Sequence, residues 1–190
     1  GLGDVYKRQV IGGGFPLAAL GARAEIMQHF DKSVVGSDKW LMQLGTLAGN
    51  PIAAVAGLKT MEILRRPGSY TKLREIGTAI QNVQSDALSN AGIDHQICGD
   101  STLFDIMLTD AACIDYRTAK HKDAESGAIY NSVLRAHGIL KAPSKVYPSL
   151  TITDADIDQT KTAAIAAAAA VAVHRPVSYT HLRAHETFHD

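Results

Sequence analysis

Gln43-Leu44-Gly45-Thr46-Leu47-Ala48-Gly49-Asn50-Pro51 carries the first decision about the fold. Asn followed by Pro marks a helix start: the Asn side chain can accept from the free first-turn amides, and Pro at the first helical position gives up no hydrogen bond. The helix should run to Arg65-Arg66, whose cations suit its negative end, and stop at Pro67-Gly68. Ahead of it, the Thr46 hydroxyl and nearby amides stand where a helix dipole favours an anion such as phosphate.

Upstream, Ile11-Gly12-Gly13-Gly14-Phe15-Pro16 is a breaker cluster after an apolar start. It reads as a strand end entering a tight turn, followed by an extended path over Leu17 to Gly21. Downstream, Leu73, Ile76, Ile80, Val83 and Ala87 recur at helical spacing and define one buried face, ended by Asn90-Ala91-Gly92. Ile93, His95 and Ile97 then alternate with polar neighbours, and Gly99-Asp100-Ser101 turns into Leu103 to Leu108, which predicts an antiparallel pair of strands. A helix from about Asp123 to His137 closes at Gly138, and short strands are expected at Ile139 to Lys141 and Tyr147 to Ile152. Thr153 with Asp156 forms a capping box that opens a last, Ala-rich helix. This order predicts a small antiparallel sheet covered by helices, an α+β layout.

Both ends of the chain read as foreign. Gly1 to Gln9 match the translation of a common transposon-based sequencing adapter, and Val177 to Thr187 match its opposite strand, with Phe188 to Asp190 reading onward. The natural segment is therefore expected from about Val10 to Arg175 or Pro176, with 1–9 and 177–190 set aside. The tail His185-Glu186-Thr187-Phe188-His189 formally matches the zinc-protease pattern H-E-x-x-H, with His181 as a third histidine, but adapter codons account for most of it and that reading is rejected.

The 190 residues carry 19 basic and 19 acidic side chains, and neutrality survives removal of the adapter residues. That balance gives no electrostatic footprint for nucleic acid or an anionic membrane, so neither partner is expected. Cys98 and Cys113 make no C-x-x-C pair and no zinc cluster, and are expected as buried free thiols of a cytoplasmic protein. No metal site is expected. The apolar run Ala163 to Val173 is too short to span a bilayer. His95, His137, Trp40 and Tyr147 read as structural groups.

Two blocks resemble a known family. Val10-Ile11-Gly12-Gly13-Gly14-Phe15-Pro16-Leu17-Ala18-Ala19-Leu20-Gly21-Ala22-Arg23 is similar to the segment after the Schiff-base lysine of class III pyridoxal-phosphate aminotransferases, closest to glutamate-1-semialdehyde aminomutase-like members. Gly45-Thr46-Leu47-Ala48-Gly49-Asn50-Pro51 resembles that family's Gly-Thr-Leu-Ser-Gly-Asn-Pro with Ala48 as the one change. Gly138 to Ser144 and Ser149 to Asp158 resemble its small-domain strands and closing helix, although many relatives carry His where Ile152 stands.

The resemblance implies a fragment of the α/β fold-type I of these transferases: 10–66 as the end of the large parallel-sheet domain and 67–176 as a small α+β domain. It implies pyridoxal 5'-phosphate as cofactor, held by Gly45 and Thr46, with Thr46 on the phosphate of the neighbouring subunit and hence a homodimer. It implies an amino acid or amino-aldehyde substrate. It also puts the lysine at position 9, where Gln9 stands. An amide nitrogen, its lone pair delocalised, cannot form the imine that a primary amine forms with an aldehyde. The chain itself is therefore expected to be inactive. The alternative reading is a non-catalytic helical module that presents the helices at Pro51 and Leu73 to a partner chain.

Overall fold

A computed structural model of the chain describes residues 11–19, 21–43 and 45–174. Gln9, the adapter-like ends and the H-E-x-x-H tail lie outside the described residues. The chain divides into two units, Gly1–Ser69 and Tyr70–Asp190.

In the first unit, short helices α1 (Ala24–Met27) and α2 (Lys32–Val35) precede the long α3 (Pro51–Leu64). Asn50 starts α3 as its side chain predicts: Oδ1 accepts from the Ile52 amide at 2.9 Å and from that of Ala53 at 3.4 Å. Arg65 ends it. Residues 11–14 form a turn closed by the Phe15 amide donating to the Gly12 carbonyl at 3.0 Å. The strand end expected at Ile11 is therefore part of this turn, because no strand lies among the described residues of this unit to pair with it. Residues 16–19 carry no regular secondary structure, and Leu20, within the stretch expected to be extended, lies outside the described residues. The turn seats on α3 through glycine: a methyl on Gly57 would overlap the Leu17 side chain, and one on Gly13 (φ +58°) would stand 2.9 Å from the Thr60 hydroxyl oxygen.

The second unit is built on α4 (Ser69–Asn90), the hairpin β1 (His95–Asp100) and β2 (Leu103–Leu108), α5 (Tyr116–Ala119), α6 (Ala124–Ala136) and α7 (Asp154–His174). The strands are antiparallel with Ile97 opposite Ile106 and Cys98 opposite Asp105. Asp100 Oδ1 accepts from the Thr102 amide at 3.0 Å and fixes the two-residue turn. On α4, Ile76, Ile80 and Ala87 are buried as the spacing predicts, joined by Gly77, Gln84 and Leu88. A methyl on Gly77 would run into the Ser101 carbonyl, so the helix backbone lies directly against the hairpin turn.

Two clusters fill this unit. Ile76 and Ile80 pack with Phe104 and Val146. Leu88, Ile93, Leu108, Tyr130 and Leu134 pack with Ala163, Ala164, Ala167, Ala168 and Val171 of α7. The alanine face of α7 is what lets α6 approach closely. Asp123 Oδ1 accepts from the Ser126 amide at 2.9 Å to open α6, and Gly138 follows its end at φ +83°. The Thr153–Asp156 capping box is present: Asp156 Oδ2 accepts from the Thr153 amide at 2.8 Å, and the Asp156 amide donates to Thr153 Oγ1 at 3.3 Å.

The two further strands expected at Ile139 to Lys141 and Tyr147 to Ile152 do not form; the stretch between them makes only isolated bridges, Ala142 with Lys145 and Phe104 with Val146. The Val146 amide donates to the Phe104 carbonyl at 2.7 Å, and Pro148, two residues on, has no N–H with which to continue the ladder. No helix among the described residues is long and apolar enough to cross a membrane.

Candidate functional site

Gly45 and Thr46 sit in the exposed turn that leads into α3. Two bonds shape it, Ala48 amide to Gly45 carbonyl at 2.9 Å and Asn50 amide to Leu47 carbonyl at 3.2 Å, with Gly49 at φ +73°. Leu44 lies outside the described residues. Neither the Thr46 hydroxyl nor its amide bonds any described residue, so both keep their capacity for an external acceptor. The amides of Ile52 and Ala53, the obvious donors of a helix N-terminus, are already taken by Asn50, and Pro51 has none. An anion placed at this turn would meet the donors of Gly45, Thr46 and Leu47 together with the dipole of α3, and not the first-turn amides of the helix. These residues fit a phosphate monoester. Of the three glycines, Gly13 lies against Ala56 and Thr60 of α3, while Gly14 has open space beside it.

Sequence reading missed a second polar cluster, in the second unit. Asp105, Lys122, Asn131, Lys141 and Ser144 line a cavity of about 230 Å³. Lys122 Nζ stands 3.6 Å from Asp105 Oδ2. Burial pushes the Asp105 carboxyl up from the usual carboxylate range against the opposing pull of Lys122 and Lys141, and burial lowers the Lys141 ammonium. Lys141 donates to the Ala142 carbonyl at 3.1 Å. Nearby, buried Tyr130 donates to Gln84 Oε1 at 3.4 Å, and burial holds its phenol far above the ordinary value. No spacing rule could have joined Asp105 to Lys141, because the tertiary fold alone brings them together. Among the described residues no group of His, Cys, Asp and Glu is arranged to hold a metal.

The remaining flagged residues have local partners. His95 is held between the Ser85 hydroxyl at 2.7 Å and the Ile93 carbonyl at 2.9 Å. His137 Nδ1 meets the Val133 carbonyl at 3.0 Å. Trp40 donates to the Phe30 carbonyl at 3.2 Å, and Lys32 lies 5.4 Å from its ring centre. Ile152 packs against the Phe104 cluster. Tyr147 is exposed, so it is not the packing group its sequence setting predicts. Both cysteines are free but only half-buried, a correction to the expectation of buried thiols.

The same arrangement recurs in solved enzymes. An ω-transaminase from Sphaerobacter thermophilus superposes with a TM-score of 0.73 at 29% identity, over 85% of this chain and 37% of that one. The chain is 36% identical to glutamate-1-semialdehyde 2,1-aminomutase 2 of Brevibacillus brevis and 34% identical to the glutamate-1-semialdehyde 2,1-aminomutase of Thermomicrobium roseum, in each case over 78% of this chain and 34% of the relative. The chain thus spans about a third of the length of the curated relatives it matches. Fold and neighbours define part of a fold-type I pyridoxal-phosphate-dependent transferase. Residues 6–168 match the family described as Aminotransferase class-III, and the chain belongs to that family. Its cofactor is pyridoxal 5'-phosphate.

Proposed function

We propose that the protein to which this chain belongs moves an amino group, either between two molecules as an aminotransferase or within one as an aminomutase, on an amino acid or amino-aldehyde substrate. The observation that carries the reading is the family match together with the turn at Gly45 and Thr46, whose free donors stand ahead of α3. Identity to the two aminomutases supports the second form of the chemistry. When bound, pyridoxal phosphate supplies an electron-withdrawing ring that makes the substrate's α-proton removable. Gly45 and Thr46 hold its phosphate, and Thr46 does so for the cofactor of a second subunit in a cytoplasmic homodimer. The large domain ends near Arg66, and the small domain follows.

Gln9 occupies the position of the Schiff-base lysine, so the 190-residue chain is inactive. Its amide cannot take an aldehyde as an imine or shuttle the substrate proton. The test is to mix the chain with pyridoxal phosphate, reduce with borohydride and map adducts by mass spectrometry. No adduct forms near Gly12; a reduced adduct there would overturn the inactivity. The uninterrupted gene carries Lys at the codon before Val10, and any other residue there sinks the enzyme reading. In the complete protein, Thr46→Ala weakens cofactor affinity while leaving the far-ultraviolet spectrum unchanged. An amino-transfer assay with and without a keto-acid acceptor then separates aminotransferase from aminomutase.

A further inference from the structure

Inside the second unit two side chains converge on one oxygen. Asn131 of α6 donates from Nδ2 to the Pro143 carbonyl at 3.1 Å, and Lys141 Nζ reaches the same carbonyl at 3.5 Å. The first bond fixes the amide: with Nδ2 on a carbonyl, the other atom is the acceptor Oδ1. That Oδ1 is buried and has no hydrogen-bond partner among the described residues. Buried polar atoms are paired in nearly every case, so this acceptor calls for a donor. Half-buried Lys141 has a matching deficit. Its ammonium donates to the Ala142 carbonyl at 3.1 Å and to that of Pro143, but it forms no ion pair with a described carboxylate. Both side chains line the cavity of about 230 Å³, whose other charged groups have partners. Lys122 lies 3.6 Å from Asp105 Oδ2, and Asp123 Oδ1 accepts from the Ser126 amide at 2.9 Å.

We propose that this cavity binds a small aliphatic α-amino acid as its zwitterion, with the carboxylate on Lys141, the ammonium on Asn131 Oδ1 and the side chain against Ile106 and Leu108. One ligand of this kind meets both deficits at once. The charges agree with it: two lysines and two aspartates line the cavity, and a balanced lining favours a ligand that carries both signs over a bare anion or a bare cation. The remaining wall is apolar, since Ile106 and Leu108 offer hydrocarbon and the Tyr130 hydroxyl is spent on Gln84. The volume limits the size. An apolar cavity of about 150 Å³ holds benzene, so about 230 Å³ suits an amino acid of roughly four to six carbons. A carboxylate against Lys141 would also offset the burial that weakens its ammonium. No described residue of the first unit lines this cavity.

The test titrates the full chain, without cofactor, with L-2-aminobutyrate and follows the backbone amide resonances. Saturable shifts gather at Lys122, Asn131, Lys141 and Ser144, and the ligand raises the melting temperature by mass action. Butyrate, which lacks the ammonium, and butylamine, which lacks the carboxylate, each bind weaker by about tenfold or more, because each leaves one of the two partners unpaired. Lys141→Met and Asn131→Leu each weaken the amino acid by a similar factor. Should either variant unfold, the comparison of the three ligands on the parent chain still decides. Absence of saturable shifts, shifts confined to the Gly45-Thr46 turn, or equal binding of aminobutyrate, butyrate and butylamine would each overturn the proposal.

Discussion

The two units follow the same rules of helix start and stop and differ in what lies beneath the helices. In the first, α3 buries only Ala53 and Gly57, while Ile52, Val55 and Leu58 are 62%, 67% and 72% exposed. In the second, Leu88, Phe104, Leu134 and Val171 are sealed from solvent. A sound cap and a Pro at the first position therefore make a helix, but they do not make a core. Most helical stability comes from packing an apolar face, and isolated helices of this length are marginal in water. The exposed row on α3 is apolar surface left uncovered by the described residues, and it is the observation on which the alternative reading as a partner-binding module rests. The corresponding face of α4 offers nothing to a partner, since Ile76 and Ile80 are spent on Phe104 and Val146.

The sharpest way to break this contrast is to cut into the sealed core. Leu134→Ala leaves a void between α6 and α7 and should destabilise the second unit by about 2–5 kcal/mol, read as a loss of urea midpoint. Leu58→Ala, on the exposed face of α3, should leave that midpoint where it was. Equal effects from the two substitutions would refute the division. Hydrogen exchange on the same chain should show protected amides in α4, α6 and α7 and near-unprotected ones in α3.

A finer comparison lies within the second unit, between two glycines in mid-helix. On α4, Gly77→Ala drives a methyl into the Ser101 carbonyl and should destabilise by about 1–3 kcal/mol. On α6, Gly127 has nothing within reach of an added methyl, so Gly127→Ala should stabilise by about 0.5–1 kcal/mol through the unfolded chain's lost freedom. Opposite signs in a urea titration confirm that α4 lies against the hairpin turn. If Gly77→Ala stabilises as well, that close approach is wrong.

How much of this was legible beforehand follows the range of each interaction. Asn50-Pro51, Asp123 to Gly138 and the Thr153–Asp156 box were readable because their partners lie within four residues. The hairpin was readable from alternation bounded by a turn. Gln84 and Leu88 were missed because helical spacing of apolar residues marks a stripe, not its width, and the buried Gln84 is satisfied by the Ile80 carbonyl one turn back and by Tyr130 across the core. The strand expected at 147–152 fails because Pro148 cannot continue the ladder begun at Val146, and no strand pairs with 139–141. The Asn50 cap was readable ahead of the helix, and what the structure adds is that the Ile52 and Ala53 amides it takes are closed to any ion at the Gly45-Thr46 turn. The Asp105, Lys122 and Lys141 cluster leaves no trace in local sequence.

The smallest effect separates the two caps, one neutral and one charged. Asp156 accepts from the Thr153 amide and hydroxyl, and those bonds hold its carboxyl below the usual value of 3.8. A carboxyl depressed by folding adds stability that is fully present above the unfolded pKa and is lost as pH falls through the folded one. The loss thus belongs below about pH 4. Asp156→Asn keeps an oxygen for Thr153 but does not titrate, and it also surrenders a negative charge at the start of α7. The variant should melt slightly below the parent chain at pH 7, and the gap should close on acidification towards pH 2. Asn50 carries no proton to gain, so amide exchange in the first turn of α3, corrected for its intrinsic rate, should show no such pH dependence. A gap that persists unchanged at pH 2 would mean that the Thr153 bonds are made equally well to a protonated carboxyl, and the charge contributes nothing to the helix start.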